Sequence, residues 1–179
     1  MSILCQADDC VLLVIDPQER LMPAIHDAAS VVARCVQLAT AARELSIHVI
    51  GTEENPEGLG LLVPEVRKLC DTTFAKYSFD ATAEEGFLQR LPAGRTTCVV
   101  AGCEAHVCVM QTVAGLLAHG HAVKWVADAV GSRRPQDREF ATGRARDLGA
   151  DIVTTEMVIF EWLATSRHPR FKRLLQLVR

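Results

Sequence analysis

Short, almost wholly apolar runs recur along this 179-residue chain, separated by stretches whose apolar residues return every three or four positions. No other feature restricts the fold as strongly. A strand that is apolar at every position needs cover on both faces. Alternation of such strands with helices supplies that cover as a parallel sheet between two helical layers. The strand candidates are Cys10–Ile15 (CVLLVI), Ile47–Gly51, a short run at Thr72–Ala75, Thr97–Ala101, His121–Ala127 and Asp151–Thr154. Helical spacing is expected over Asp27–Leu45, where Val31, Cys35, Leu38 and Ala42 repeat. Further helices are expected over Leu62–Leu69, Thr82–Leu91 (stopped by Pro92), Val107–His119 (ended by Gly120) and Pro135–Leu148 (closed by Gly149), with two more at the C-terminus. The stretch TEENPEGLG reads as a loop on its Pro and Gly content. No linker, repeat or shift in composition divides the chain, so one domain is expected over residues 1–179.

Composition removes several function classes. A net charge of −3 asks for no polyanionic partner, so nucleic acid is not expected. No segment approaches the roughly 20 apolar residues of a spanning helix, and the N-terminus carries no basic leader, which predicts a cytoplasmic protein without a membrane partner. Seven cysteines, an odd number, fit a reducing compartment. Cys98, Cys103 and Cys108 recur every five residues, a spacing that matches no zinc site, and His119-Gly120-His121 is a glycine-capped helix end, so no metal is expected. Neither GxGxxG after a strand nor a phosphate-binding GxxxxGK[ST] is present, and no cofactor is expected. A mean hydropathy of +0.15 is high for one domain and suggests apolar surface shared in a homo-oligomer. The C-terminal residues Arg167, Arg170, Lys172, Arg173 and Arg179 read as the solvated basic face of an amphipathic helix.

Open parallel sheets bind ligands beyond the carboxyl ends of their strands. Asp16 ends the first run, where it either caps a turn or belongs to a site. Lys76 follows the third run among aromatic residues, where a lysine either reaches out to water or meets an anion. Cys108 falls in the expected first turn of the helix after the fourth run, in register with Thr112, Gly115 and His119 rather than with the stripe Val109, Val113, Leu116 and Leu117. That position suits a stabilised thiolate, although a structural cysteine is the commoner outcome. An acid, an ammonium and a thiol at three strand ends would compose an activated nucleophile for a small-molecule substrate.

The segments LLVIDPQERLMPAI, FAKYSFD and VAGCEAHVCVMQTVAGLLAHGHAVKWVADAVGSR occur in the order found in the isochorismatase-like cysteine hydrolases, which this chain resembles over nearly its whole length. GTEENPEGLG and the tail FEWLATSRHPRFKRLLQLVR resemble the isochorismatase domain-containing subgroup. The resemblance implies a three-layer α/β/α fold around a six-stranded, mainly parallel sheet of order 3-2-1-4-5-6. It also implies a catalytic triad of Asp16, Lys76 and Cys108, and a cis peptide between Cys103 and Glu104. The backbone N–H groups of Glu104 and Cys108 would then face a developing oxyanion. Gln18, Met22, Glu53, Tyr77 and His106 become candidates for the substrate pocket.

Two departures shape the expected reaction. The nicotinamidase branch carries an Asp-x-His metal cluster after its second strand, whereas this chain has Gly51-Thr52-Glu53-Glu54-Asn55 there. True isochorismatases lack the cysteine that this chain keeps, so the family name does not specify the reaction. The expected activity is metal-independent hydrolysis of a small amide, ester or related carbonyl compound. The alternatives are a binding or scaffold protein of the same fold, and a thiol redox sensor with Cys103 as resolving partner of Cys108.

Overall fold

The computed structural model describes residues 3–178; Met1, Ser2 and Arg179, the last of the basic tail residues, lie outside them. Six strands form one sheet: β1 (Cys10–Ile15), β2 (Val49–Glu54), β3 (Thr72–Lys76), β4 (Thr97–Cys103), β5 (Ala122–Gly131) and β6 (Asp151–Val153). Their order is β3-β2-β1-β4-β5-β6, and every neighbouring pair runs parallel. Seven helices accompany them: α1 (Ala28–Glu44), α2 (Pro56–Leu59), α3 (Pro64–Arg67), α4 (Met110–Ala118), α5 (Pro135–Asp147), α6 (Thr155–Leu163) and α7 (Phe171–Leu175).

The apolar character of β1 has a direct structural reason. Cys10, Leu12 and Val14 pack in one layer with Leu38 and Ala42 of α1 and Val158 and Trp162 of α6. Val11, Leu13 and Ile15 enter the opposite layer with Val113 and Leu116 of α4 and Ala141 and Ala145 of α5. Successive side chains point to opposite faces, so a strand at the centre of three layers must be apolar throughout. None of the helices is long and apolar enough to cross a membrane.

Several expected boundaries shift. The helix expected over Thr82–Leu91 is replaced by two single 3-10 turns, Ala81–Ala83 and Leu88–Arg90. Gly86 between them adopts φ +86°, a left-handed conformation that interrupts helical propagation. The Leu62–Leu69 helix contracts to α3, and the expected loop after residue 51 instead continues β2 to Glu54 and then forms α2. The last helix does not leave its basic face wholly solvated: Arg170 and Arg173 pair with Glu44 at 3.6 and 3.4 Å.

β1 and β4 approach closely where both strands end. Gly102 has φ +118°, and a Cβ there would lie 2.0 Å from the Ile15 carbonyl oxygen and 2.6 Å from its nitrogen. Gly102→Ala is therefore expected to destabilise the fold by about 3 kcal/mol or more. For a domain of this size that lowers Tm by roughly 6–12 °C in a thermal melt. An unchanged Tm would show that the two strands separate there at little cost.

Candidate active site

The strand order reverses between β1 and β4, and the charged cluster lies at that reversal, beyond the carboxyl ends of the strands. Asp16 follows β1 directly with φ +50°, a left-handed conformation that Asp tolerates better than most residues. Lys76 is the last residue of β3 and stands in register with Glu54, the last residue of β2. Cys108 belongs to a π-helical turn, Ala105–Val109, between β4 and α4. The N–H groups of Val107 and Val109 both donate to the Glu104 carbonyl at 3.1 Å, closing this turn around the cysteine. The Cys103–Glu104 peptide that leads into it is cis.

These elements bring Asp16, Lys76 and Cys108 together. Lys76 Nζ lies 2.7 Å from Asp16 Oδ2 and 2.7 Å from Glu54 Oε2, and it donates to the Ser78 carbonyl at 3.3 Å. Thr52 Oγ1 donates to Asp16 Oδ1 at 2.6 Å, whereas Oδ2 lies against the Lys76 ammonium. Cys108 Sγ and a carboxylate oxygen from each of Asp16 and Glu54 all lie within 4.8 Å of one another. Asp16 and Lys76 are wholly buried, while Cys108 retains 6% exposure.

Electrostatics set the resting state. Burial pulls the Lys76 ammonium down, but the Asp16 charge, then Cys108 and the carboxylate hydrogen bonds, carry it above its ordinary value, so it stays charged. Burial, followed by the Asp16 charge, pushes the Cys108 thiol well up against the opposing pull of Lys76. Two carboxylates already face one ammonium, and ionising the sulfur would add an anion to a buried site that is already net negative. The thiolate expected from helix position is thus replaced by a neutral thiol at rest. The helical phase that set Cys108 apart also has another cause. Thr112, on the same side of α4, is buried against the segment after Lys76, accepting from Ala81 N (3.1 Å) and donating to Phe79 O (3.3 Å). Both sides of α4 are therefore covered.

The pocket candidates scatter. Gln18 is a buried fastener: its side chain accepts from Glu54 N at 2.8 Å and donates to Glu54 O at 2.9 Å and Gly60 O at 2.6 Å. Met22 packs in the apolar layer beneath α1. Glu53 points to the face of β2 away from Thr52 and Glu54, accepting from Leu62 N (3.0 Å) and Arg67 Nε (3.3 Å). Tyr77 is 61% exposed and donates its hydroxyl to Glu57. His106 bonds Ser132 Oγ through Nδ1 at 3.0 Å and lines a cleft of about 140 Å³ with Met110, Asp137 and Phe140. Glu104 is buried, and its side chain accepts from Arg133 Nε at 2.8 Å. Cys103 packs in the α1 layer and Cys108 in the α4 layer, so a direct bridge between them would have to cross the sheet. Thr52 and Glu54, which the sequence does not single out, contact Asp16 and Lys76 directly.

A doubly wound sheet with its polar cluster at the switch point defines the α/β/α class that the motifs anticipate. The isochorismatase domain model matches residues 10–157, and the chain belongs to the isochorismatase family, among its isochorismatase-like hydrolases. It is 35% identical over 173 residues to isochorismatase domain-containing protein 2 of Xenopus laevis, covering 94% of this chain and 82% of that one. Among solved structures, it is similar to a Caenorhabditis elegans protein described as MAR1 ribonuclease, with a TM-score of 0.93 and 34% identity over 98% of this chain and 92% of that one. The Escherichia coli YcaC gene product, described as an octameric hydrolase of unknown specificity, shares the fold at a TM-score of 0.87 and 22% identity, over 98% of this chain and 96% of that one.

Proposed function

We propose that this chain, as one domain, is a metal-independent cysteine hydrolase acting on a small amide, ester or related carbonyl compound. One observation carries the reading: an acid, an ammonium and a thiol from three separate chain segments converge in a buried cluster, where Asp16 and Lys76 are wholly enclosed and the Cys108 residue keeps slight exposure. Asp16 Oδ2 takes the thiol proton as sulfur attacks the carbonyl carbon, so the anion forms only when a substrate is present. The backbone N–H groups of Glu104 and Cys108 receive the negative charge that develops on the carbonyl oxygen. Protonated Asp16 then passes its proton to the leaving amine or alcohol, leaving a thioester on Cys108 for water to hydrolyse. The Lys76 ammonium already lies against both carboxylates and supplies the positive charge that a metal ion would bring there.

No nucleic-acid partner is proposed, because the net charge is negative and the charged groups of the site are buried. A homo-oligomer is proposed on the mean hydropathy and on the octamer described for the E. coli neighbour. A hydrolase screen over p-nitrophenyl esters, aryl amides and a short RNA, with Cys108→Ala alongside, tests the assignment. Turnover of an ester or amide that disappears in the variant is the expected result. RNA cleavage that survives Cys108→Ala would instead favour the activity described for the C. elegans relative, carried by other residues.

A further inference from the structure

Two carboxylates flank the buried Lys76 ammonium, and the mechanism above employs only Asp16. We propose that Glu54 is a second catalytic carboxylate, the base that activates the water which hydrolyses the acyl-Cys108 intermediate. The inference rests on the reading of Cys108 as a nucleophile that becomes acylated.

Three observations separate Glu54 from a purely structural partner of Lys76. First, its two oxygens differ: Oε2 lies 2.7 Å from Lys76 Nζ, whereas Oε1 has no partner among the described residues. Second, the Glu54 side chain keeps 9% exposure, while those of Asp16 and Lys76 keep none. Water entering the cluster therefore meets Glu54 and not Asp16. Third, Glu54 is held in place at its backbone, where Gln18 bonds both its N–H and its carbonyl. A carboxylate so anchored, with a carboxylate oxygen within 4.8 Å of Cys108 Sγ, stands beside the position an acyl carbon would occupy.

The half-reaction balances on these groups. The water oxygen bonds to the thioester carbon while its proton passes to Glu54. The carbon–sulfur bond then breaks, the sulfur takes the proton from Glu54, and the product leaves as a carboxylic acid. Glu54 ends ionised and Cys108 ends as the neutral thiol from which the cycle began. Asp16 serves bond formation to sulfur and Glu54 serves its cleavage, with Lys76 common to both.

The experiment follows p-nitrophenyl acetate by stopped flow and intact mass spectrometry in the wild type, Glu54→Gln and Cys108→Ala. In Glu54→Gln, a burst of about one equivalent of p-nitrophenolate at an undiminished rate is expected. It should be followed by steady-state turnover on the order of 10²-fold slower, with one acetyl group trapped on Cys108. Hydroxylamine, which attacks thioesters without a protein base, should restore turnover in the variant. A burst and a steady state slowed equally, with no trapped acetyl group, would show that Glu54 only positions Lys76. That result overturns this inference and leaves the cysteine mechanism standing. Undiminished turnover in Cys108→Ala would overturn both. Glu54→Asp retains the charge beside Lys76 and draws the carboxylate back by one methylene. It should accumulate the same intermediate, and it serves if the glutamine variant does not fold.

Discussion

Asp16→Asn is expected to reduce kcat/KM on any substrate found by about 10³–10⁴-fold, while making Cys108 easier to alkylate. The opposite signs follow from the two effects of one carboxylate. Asp16 raises the thiol by its charge and is also the group placed to receive the proton. With asparagine the repulsion disappears and Lys76 still favours the sulfur anion, so the thiol ionises at lower pH than in the wild type. No base remains to accept the proton during attack. Asparagine also tolerates the φ of +50° at this position, so the backbone need not change. Iodoacetamide labelling of Cys108, followed by peptide mass spectrometry between about pH 7 and pH 10, reads the first effect, and steady-state kinetics read the second. Labelling that slows in step with activity would mean that Asp16 sustains a standing thiolate, contrary to the neutral resting thiol.

Lys76→Met should be the most damaging single change to stability. It leaves Asp16 and Glu54 buried near one another with no counter-charge, a defect that costs about 3–5 kcal/mol. At this chain length that is roughly 10 °C in Tm. The wild-type pair holds across neutral pH: the Lys76 value is raised, so its stabilisation is complete below the ordinary lysine range and is lost only as pH climbs through the folded value. Thermal melts of both proteins at a series of pH values test this. Equal Tm at pH 7 would mean that the cluster contributes no net electrostatic stabilisation.

The comparison of β2 with β1 shows how far periodicity reaches. β1 is apolar at all six positions, and both its limits were legible because Asp9 and Asp16 bracket the run. β2 carries Thr52, Glu53 and Glu54 inside the sheet, where an apolar count ends the strand at Gly51. Those polar residues are buried only because each finds a partner supplied by a distant segment: Asp16 for Thr52, Arg67 and Leu62 for Glu53, Lys76 for Glu54. Glu53 and Glu54 look equivalent in the sequence, and the side-chain alternation of a strand sends one to brace α3 and the other to the site. Glu53, the pocket candidate, therefore lies one position from Glu54 and on the opposite face of the strand.

The Thr82–Leu91 helix failed for a local reason that was visible, since Gly86 sits at its centre. The ionisation of Cys108 failed for a reason that was not. Position near a helix start favours a thiolate, and only the assembled site reveals two carboxylates and a nearly closed wall around the sulfur.

The order of apolar runs and helical stretches, read alone, determined the layered parallel sheet, because covering both faces of a fully apolar strand leaves few arrangements open to a chain. It also supplied Asp16, Lys76 and Cys108, whose positions at the ends of runs mark where such a sheet leaves its carboxyl edge open. Which groups touch them was decided only by the tertiary structure. Contacts such as Lys76 with Glu54 depend on strand register and on the direction of each side chain, and both are set when the strands pair and the layers close. The charge state of the sulfur was decided in the same way, since it depends on burial and on neighbours brought from far along the chain.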